Sequence, residues 1–183
     1  MGHLARTVAI AQKLKSQAEV VIASMSEAVS EVNPATGIKT FYIPSRRKAE
    51  MPSYKWESFL RDRILQLVKE TNAQVVTFDG VIPFPGILSA KLKNNNFKLV
   101  WIRRGFWQRK LHTLALGMQS SLMDVIIEPT DFASESDIGP TSKRKDAVKI
   151  APVSLFDSNT AQSKENARKT LGLDLVKPRS EEH

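Results

Sequence analysis

The sequence contains no cysteine. That excludes a disulfide framework, a thiolate zinc site and a cysteine nucleophile, and it fits a reducing compartment. It has no apolar run near the ~18 residues needed to span a bilayer. Nor does it open on a secretory signal, because Arg6, Gln12, Lys13 and Lys15 interrupt the apolar positions there. The expectation is a cytoplasmic protein. Three signatures are also missing: G-x-G-x-x-G, G-x-x-x-x-G-K-[ST] and H-E-x-x-H. Their absence disfavours NAD(P) dehydrogenases, P-loop NTPases and zincins. Acidic residues are in deficit, 19 against 27 Lys and Arg, for a net charge of +8. Such a balance favours anionic partners: nucleic acid, anionic lipid or phosphorylated small molecules. No nucleic-acid module is present and the basic residues are spread along the chain, so nucleic acid is disfavoured.

With 183 residues, 42% of them hydrophobic, the chain is long enough for one well-cored domain with an appendage. Helix and strand signals alternate. His3 to Lys15 carries Leu4, Val8, Ala11 and Leu14 on one stripe, a helical spacing. Val20-Val21-Ile22-Ala23 is apolar on both faces, as in a buried parallel strand, and Lys39 to Pro44 reads as a second strand. Tyr54 to Glu70 is the clearest helix, with Trp56, Phe59, Leu60, Ile64, Leu67 and Val68 inward and Ser53 as its expected N-cap. Strand patterns follow at 74–78, 97–102, 125–127 and within 147–155. Helices are expected at 87–92, at 111–122 with Met118 inward, and at 160–171 with Gly172 as its cap. Residues 131–146 read as a surface loop. The alternation argues for right-handed βαβ units in a parallel sheet with helices on both faces.

Ligands of such sheets bind beyond the carboxyl ends of the strands. The candidates are therefore the polar residues after each strand: Ser45, Arg46 and Arg47; Asp79 and Gly80; Arg103 and Arg104; Glu128 and Asp131. Gly2 and His3 open the first helix. A helix N-terminus suits a phosphate or sugar oxygen, and a histidine there is a candidate general base. Its competing reading is an exposed histidine of no consequence. Asp79 is placed to orient His3 or to contact an acceptor hydroxyl; the alternative is a turn-forming aspartate. Arg103-Arg104-Gly105-Phe106-Trp107 suits phosphate clamping with ring stacking, or a basic loop with an aromatic packed inward. Arg46-Arg47-Lys48 with Tyr54 and Trp56 could touch an anionic membrane surface, or be a solvated charge run. His112 reads as a solvated histidine.

Several of these segments, in order, resemble one family. Gly2-His3-Leu4-Ala5-Arg6-Thr7, followed by Ala9, Ala11 and Leu14, resembles the first helix of GT-B-fold glycosyltransferases. These include the UDP-GlcNAc transferase that makes lipid II. Val76-Thr77-Phe78-Asp79-Gly80, Leu99-Val100-Trp101-Ile102-Arg103-Arg104-Gly105 and Asp124-Val125-Ile126-Ile127-Glu128-Pro129 are similar to middle strands of the family's N-terminal domain. Ala167-Arg168-Lys169-Thr170-Leu171-Gly172-Leu173-Asp174 is similar to the helix that leads into the second domain. The resemblance implies a Rossmann-like, doubly wound α/β fold lacking its first strand. Residues 1–155 would form the acceptor-side domain, and residues 156–183 a linker helix and tail leading to an absent donor-binding domain.

It further implies sugar transfer from a UDP-sugar to an acceptor hydroxyl. By position His3 matches the family's histidine, which in several members acts as base or contacts the phosphates; with the strand-end residues above, His3 and Asp79 are the catalytic candidates, and Gly2, Gly80, Arg103, Arg104 and Glu128 the substrate-binding ones. No metal or cofactor is expected; the UDP-sugar is a co-substrate. The isolated chain is expected to be incomplete, with a donor-domain partner chain and a peripheral place at the inner membrane face as further expectations. Two alternatives stay open. One is a non-catalytic acceptor-binding subunit of a two-chain glycosyltransferase. The other is a basic nucleic-acid-binding protein.

Overall fold

The computed structural model describes residues 2–103, 113–130, 136–137, 142, 144–156 and 161–175. Two compact units divide the chain, 1–153 and 154–183.

In the first unit the elements run α1 (Gly2–Leu14), β1 (Val21–Ser24), a 3-10 turn (Glu27–Glu31), α2 (Val32–Thr36), β2 (Lys39–Tyr42), α3 (Ser53–Thr71), β3 (Val75–Gly80), α4 (Pro85–Lys93), β4 (Lys98–Arg103), α5 (Thr113–Ser121), β5 (Val125–Pro129) and β6 (Val148–Ile150). Every described strand pair is parallel. The strands form two sheets, β1-β2 and β3-β4-β5-β6. Parallel neighbours need crossover connections; α2 lies between β1 and β2, α4 between β3 and β4, and α5 between β4 and β5. The α/β architecture with flanked parallel sheets is Rossmann-like. The layer is interrupted between β1 and β3, which are not hydrogen-bonded to each other.

The larger core joins α3, α4, β4 and β5. Trp56, Leu60, Ile64 and Leu67 pack with Ile87, Leu88, Leu99, Trp101 and Ile126, and Met25, Phe41 and Ile43 from the β1-β2 side join the same cluster. Trp101 is fully buried, and its indole N–H donates to Gly80 O at 2.8 Å, as a buried indole requires. A smaller core holds Val8 and Ala11 of α1 against Ile22, Val29, Val32 and Ile38. α1 packs against both β1 and β3.

Some local expectations change. Ser53 is the first residue of α3 rather than its N-cap; Pro52 holds that place without a side-chain bond. Its fixed φ suits a helix entry. Met118 is exposed, because Leu116 and Ser120 take the inward side of the short α5. Residues 111–112 and most of the 131–146 loop lie outside the described residues. The turn through Glu27–Thr36 was not foreseen; it closes on Gly37 at φ 71°, where glycine carries no strain.

In the second unit α6 (Lys164–Thr170) starts at Ser163, whose hydroxyl accepts from Asn166 N. It ends as expected on Gly172, at φ 64°. Leu173 N donates to Arg168 O and Gly172 N to Lys169 O, the paired bonds of a Schellman ending.

Candidate functional site

His3 and Asp79 meet. His3 stands in the first turn of α1, and Asp79 near the carboxyl end of β3. His3 Nδ1 lies 3.0 Å from Asp79 Oδ1. The Asp79 side chain is 7% exposed and that of His3 49% exposed. A carboxylate can only accept, so a hydrogen bond to Asp79 requires a proton on Nδ1, and in the neutral ring of that tautomer Nε2 carries the lone pair; Arg6 Nη2 also lies 3.4 Å from Nδ1. Nε2 is the nitrogen not engaged by Asp79.

Arg6, one turn along α1, completes the cluster. Its Nε donates to Asp79 Oδ2 at 2.8 Å, and its Nη2 donates to Oδ1. The guanidinium thus grips both carboxylate oxygens, the fork geometry that arginine favours. Sequence alone assigned Arg6 no role in the site. Its signal is the spacing: residues three apart on a helix share a face, so His3 and Arg6 reach the same strand end.

The other candidates form a separate group. In a parallel ladder, aligned residues project to the same face and alternate along each strand. Gly80 aligns with Arg103, and Asp79 with Ile102. Ile102 aligns with Ile127, which places Glu128 beside Arg103. Arg103 and Glu128 therefore project to the face opposite Asp79. Arg103 is 2% exposed; its Nη1 lies 3.1 Å from Glu128 Oε1 and its Nη2 2.5 Å from Asp137 Oδ2. The Glu128 contact is an ion pair without hydrogen-bond alignment, and that buried oxygen has no other hydrogen-bond partner among the described residues. Gly80 is buried, and a Cβ there would stand 2.5 Å from the Phe78 ring. Gly2 opens α1 with open space where a Cβ would be. Arg104, His112 and Asp131 lie outside the described residues.

Of the basic aromatic patch, Arg46, Arg47 and Tyr54 are exposed, but Trp56 is core, its indole N–H donating to Pro44 O at 2.9 Å. Lys48 pairs with Glu27 at 2.7 Å. Among the described residues no group of three or more His, Cys, Asp or Glu could hold a metal. No described helix is long and apolar enough to cross a membrane.

The fold is that of a Rossmann-like α/β protein with a histidine–aspartate pair at a strand end. Among solved structures, the chain is similar to MnaA from S. aureus, determined in complex with UDP: TM-score 0.55, 14% identity, 91% of this chain and 47% of that one. It is also similar to a putative UDP-N-acetylglucosamine 2-epimerase from Listeria monocytogenes: TM-score 0.49, 16% identity, 73% of this chain and 37% of that one. The chain spans less than half the length of either. No protein-family model matches it, and no curated protein does.

Proposed function

We propose that the chain is the acceptor-side half of a UDP-sugar-using enzyme, and that its reaction is glycosyl transfer with His3 as general base. The observation that carries this reading is the His3–Asp79 contact at the carboxyl end of β3. The likeness to a fold solved with UDP supports the substrate class. The opening motif supports the reaction type.

In this reading each side chain has one task. Asp79 fixes the imidazole through Nδ1, and Nε2 takes the proton of an acceptor hydroxyl. The acceptor oxygen bonds to the anomeric carbon as the bond from that carbon to the diphosphate oxygen breaks. UDP leaves with the electron pair. Arg6 balances the Asp79 charge and holds its carboxylate in place.

The test is the kcat and KM of the enzyme containing this chain, assembled with its nucleotide-binding domain, for wild type and His3→Gln. A base predicts a loss in kcat of ~10²-fold or more with little change in acceptor KM. A rise in KM at unchanged kcat would instead mean that the chain binds the acceptor without catalysing.

A further inference from the structure

We propose that the cleft between β2 and the 3-10 turn is a binding site for a neutral glycoside, held by ring stacking and by its hydroxyls. The cleft shares no lining residue with the His3–Asp79 cluster, and the proposal does not rest on the UDP-sugar reading. It has a volume of about 420 Å³ and is lined by Glu27, Val29, Ser30, Thr40 and Tyr42. Small-molecule sites run from ~300 to ~1,000 Å³.

The place of the cleft follows from the chain. Glu27, Val29 and Ser30 belong to the turn after β1, and Thr40 and Tyr42 to β2. Residues two apart on a strand project to one face, so Thr40 and Tyr42 stand side by side. Thr40 aligns with Ile22, a core residue of the smaller cluster. Val29 is buried in the same cluster and fixes the turn against that face.

The walls are preorganised. Lys48, in the turn after β2, pairs with Glu27 Oε1 at 2.7 Å. That turn is closed by Ala49 N donating to Ser45 O at 2.9 Å and Met51 N to Arg46 O at 3.3 Å. It ends on Glu50 at φ 50°, a left-handed backbone that strains a non-glycine residue and recurs at functional sites. On the facing wall the Ser30 hydroxyl donates to Glu27 O at 3.0 Å.

The groups left over select the ligand. The hydrogen bond from Lys48, then its charge, holds the Glu27 carboxyl below its ordinary range. The pair is ionised yet neutral in sum, so the cleft offers an ion no excess charge of either sign. Glu27 Oε2 remains able to accept. The hydroxyls of Thr40 and Tyr42 have no hydrogen-bond partner among the described residues. Tyr42 is 40% exposed, which leaves part of its ring open. A pyranose matches this set. Its C–H face is apolar and lies on an aromatic ring, and its hydroxyls donate to a carboxylate and pair with other hydroxyls.

The experiment titrates the full chain with the methyl glycosides of glucose, galactose, mannose and N-acetylglucosamine, read by 1H–15N NMR. Tetramethylammonium and benzoate are the charged probes. The expected result is a saturable shift with at least one glycoside, confined to amides of Glu27–Ser30, Thr40–Tyr42 and Lys48. Tyr42→Ala should weaken binding about tenfold, while Tyr42→Phe keeps the ring and most of the affinity. Thr40→Val should weaken it about fivefold. His3→Gln should leave it unchanged. No localised shift with any of the four glycosides, a larger shift with either charged probe, or a titration that survives Tyr42→Ala overturns the proposal. So does loss of binding in His3→Gln, which would make the two sites one.

Discussion

His3 Nδ1 sits 3.0 Å from Asp79 Oδ1, across 76 residues of sequence. Only the packing of α1 over the end of β3 brings them together, and Arg6 fixes the carboxylate from the other side. The first prediction concerns the ring itself. Long-range 1H–15N spectra should show neutral His3 with its proton on Nδ1, the tautomer that the carboxylate selects. Asp79→Asn should release that preference, since an amide can donate as well as accept. A His3 ring protonated on Nε2 in wild type would contradict the contact.

Arg6 acts on Asp79 and so indirectly on His3. Arg6→Lys keeps a positive charge but loses the planar fork. It should lower kcat less than His3→Ala does, with partial retention of the Nδ1 tautomer. Arg6→Gln should lower it further. Equal, wild-type kcat in both variants would remove Arg6 from the arrangement.

Asp124 gives a pH-dependent prediction. Its carboxylate accepts from Leu99 N at 2.8 Å and pairs with the buried Lys91 at 2.9 Å and with Lys98 at 3.3 Å. The Leu99 backbone bond is the largest cause holding its pKa down at about 2, against an ordinary 3.8, with the two lysines adding to it. A depressed native pKa means that the unfolded chain takes up the proton first as pH falls. The contribution is therefore complete above about pH 4 and lost toward pH 2. Thermal melts should show this loss in wild type and a flatter acid limb in Asp124→Asn. At neutral pH that variant should be destabilised by about 3 kcal/mol, because the buried Lys91 ammonium loses its counter-ion.

Gly86 opens α4 against α3. Its N–H donates to Glu57 Oε2 at 2.7 Å, and a Cβ at this position would stand 2.5 Å from the Glu57 backbone oxygen. Backbone cannot rotate away as a side chain can. Gly86→Ala should cost about 1–3 kcal/mol in chemical denaturation by prising α3 from α4. The same change at Gly2, where the space is open, should leave stability within about 0.5 kcal/mol of wild type.

Much of the fold was legible because its signals are local. The apolar face of α3 is written in Trp56, Leu60, Ile64 and Leu67, and the buried runs of β4 and β5 in Leu99, Trp101 and Ile126. The Gly172 ending needed only a residue tolerant of positive φ. The site was partly legible. His3 and Asp79 stood out as residues at element ends, yet nothing local said they would touch. Arg6 was passed over because its importance lies in a partner 73 residues away. Arg103 and Glu128 were grouped with His3 because strand ends share a rim. Register separates them: one step along a strand reverses the face, and Asp79 precedes the Gly80–Arg103 row by one step. Trp56 carried two readings, one on the apolar face of α3 and one beside Arg46-Arg47-Lys48; its burial and its bond to Pro44 O place it in the core, as the helical spacing has it.

The measurement that tests the central claim most directly is a double-mutant cycle on kcat with a UDP-sugar donor, using His3→Ala, Asp79→Asn and the pair in the assembled enzyme. If the two side chains act as one unit, the double variant loses little more than His3→Ala alone, ~10²-fold or more below wild type. Losses that multiply independently, or a His3→Ala enzyme that turns over at the wild-type rate, would contradict the account.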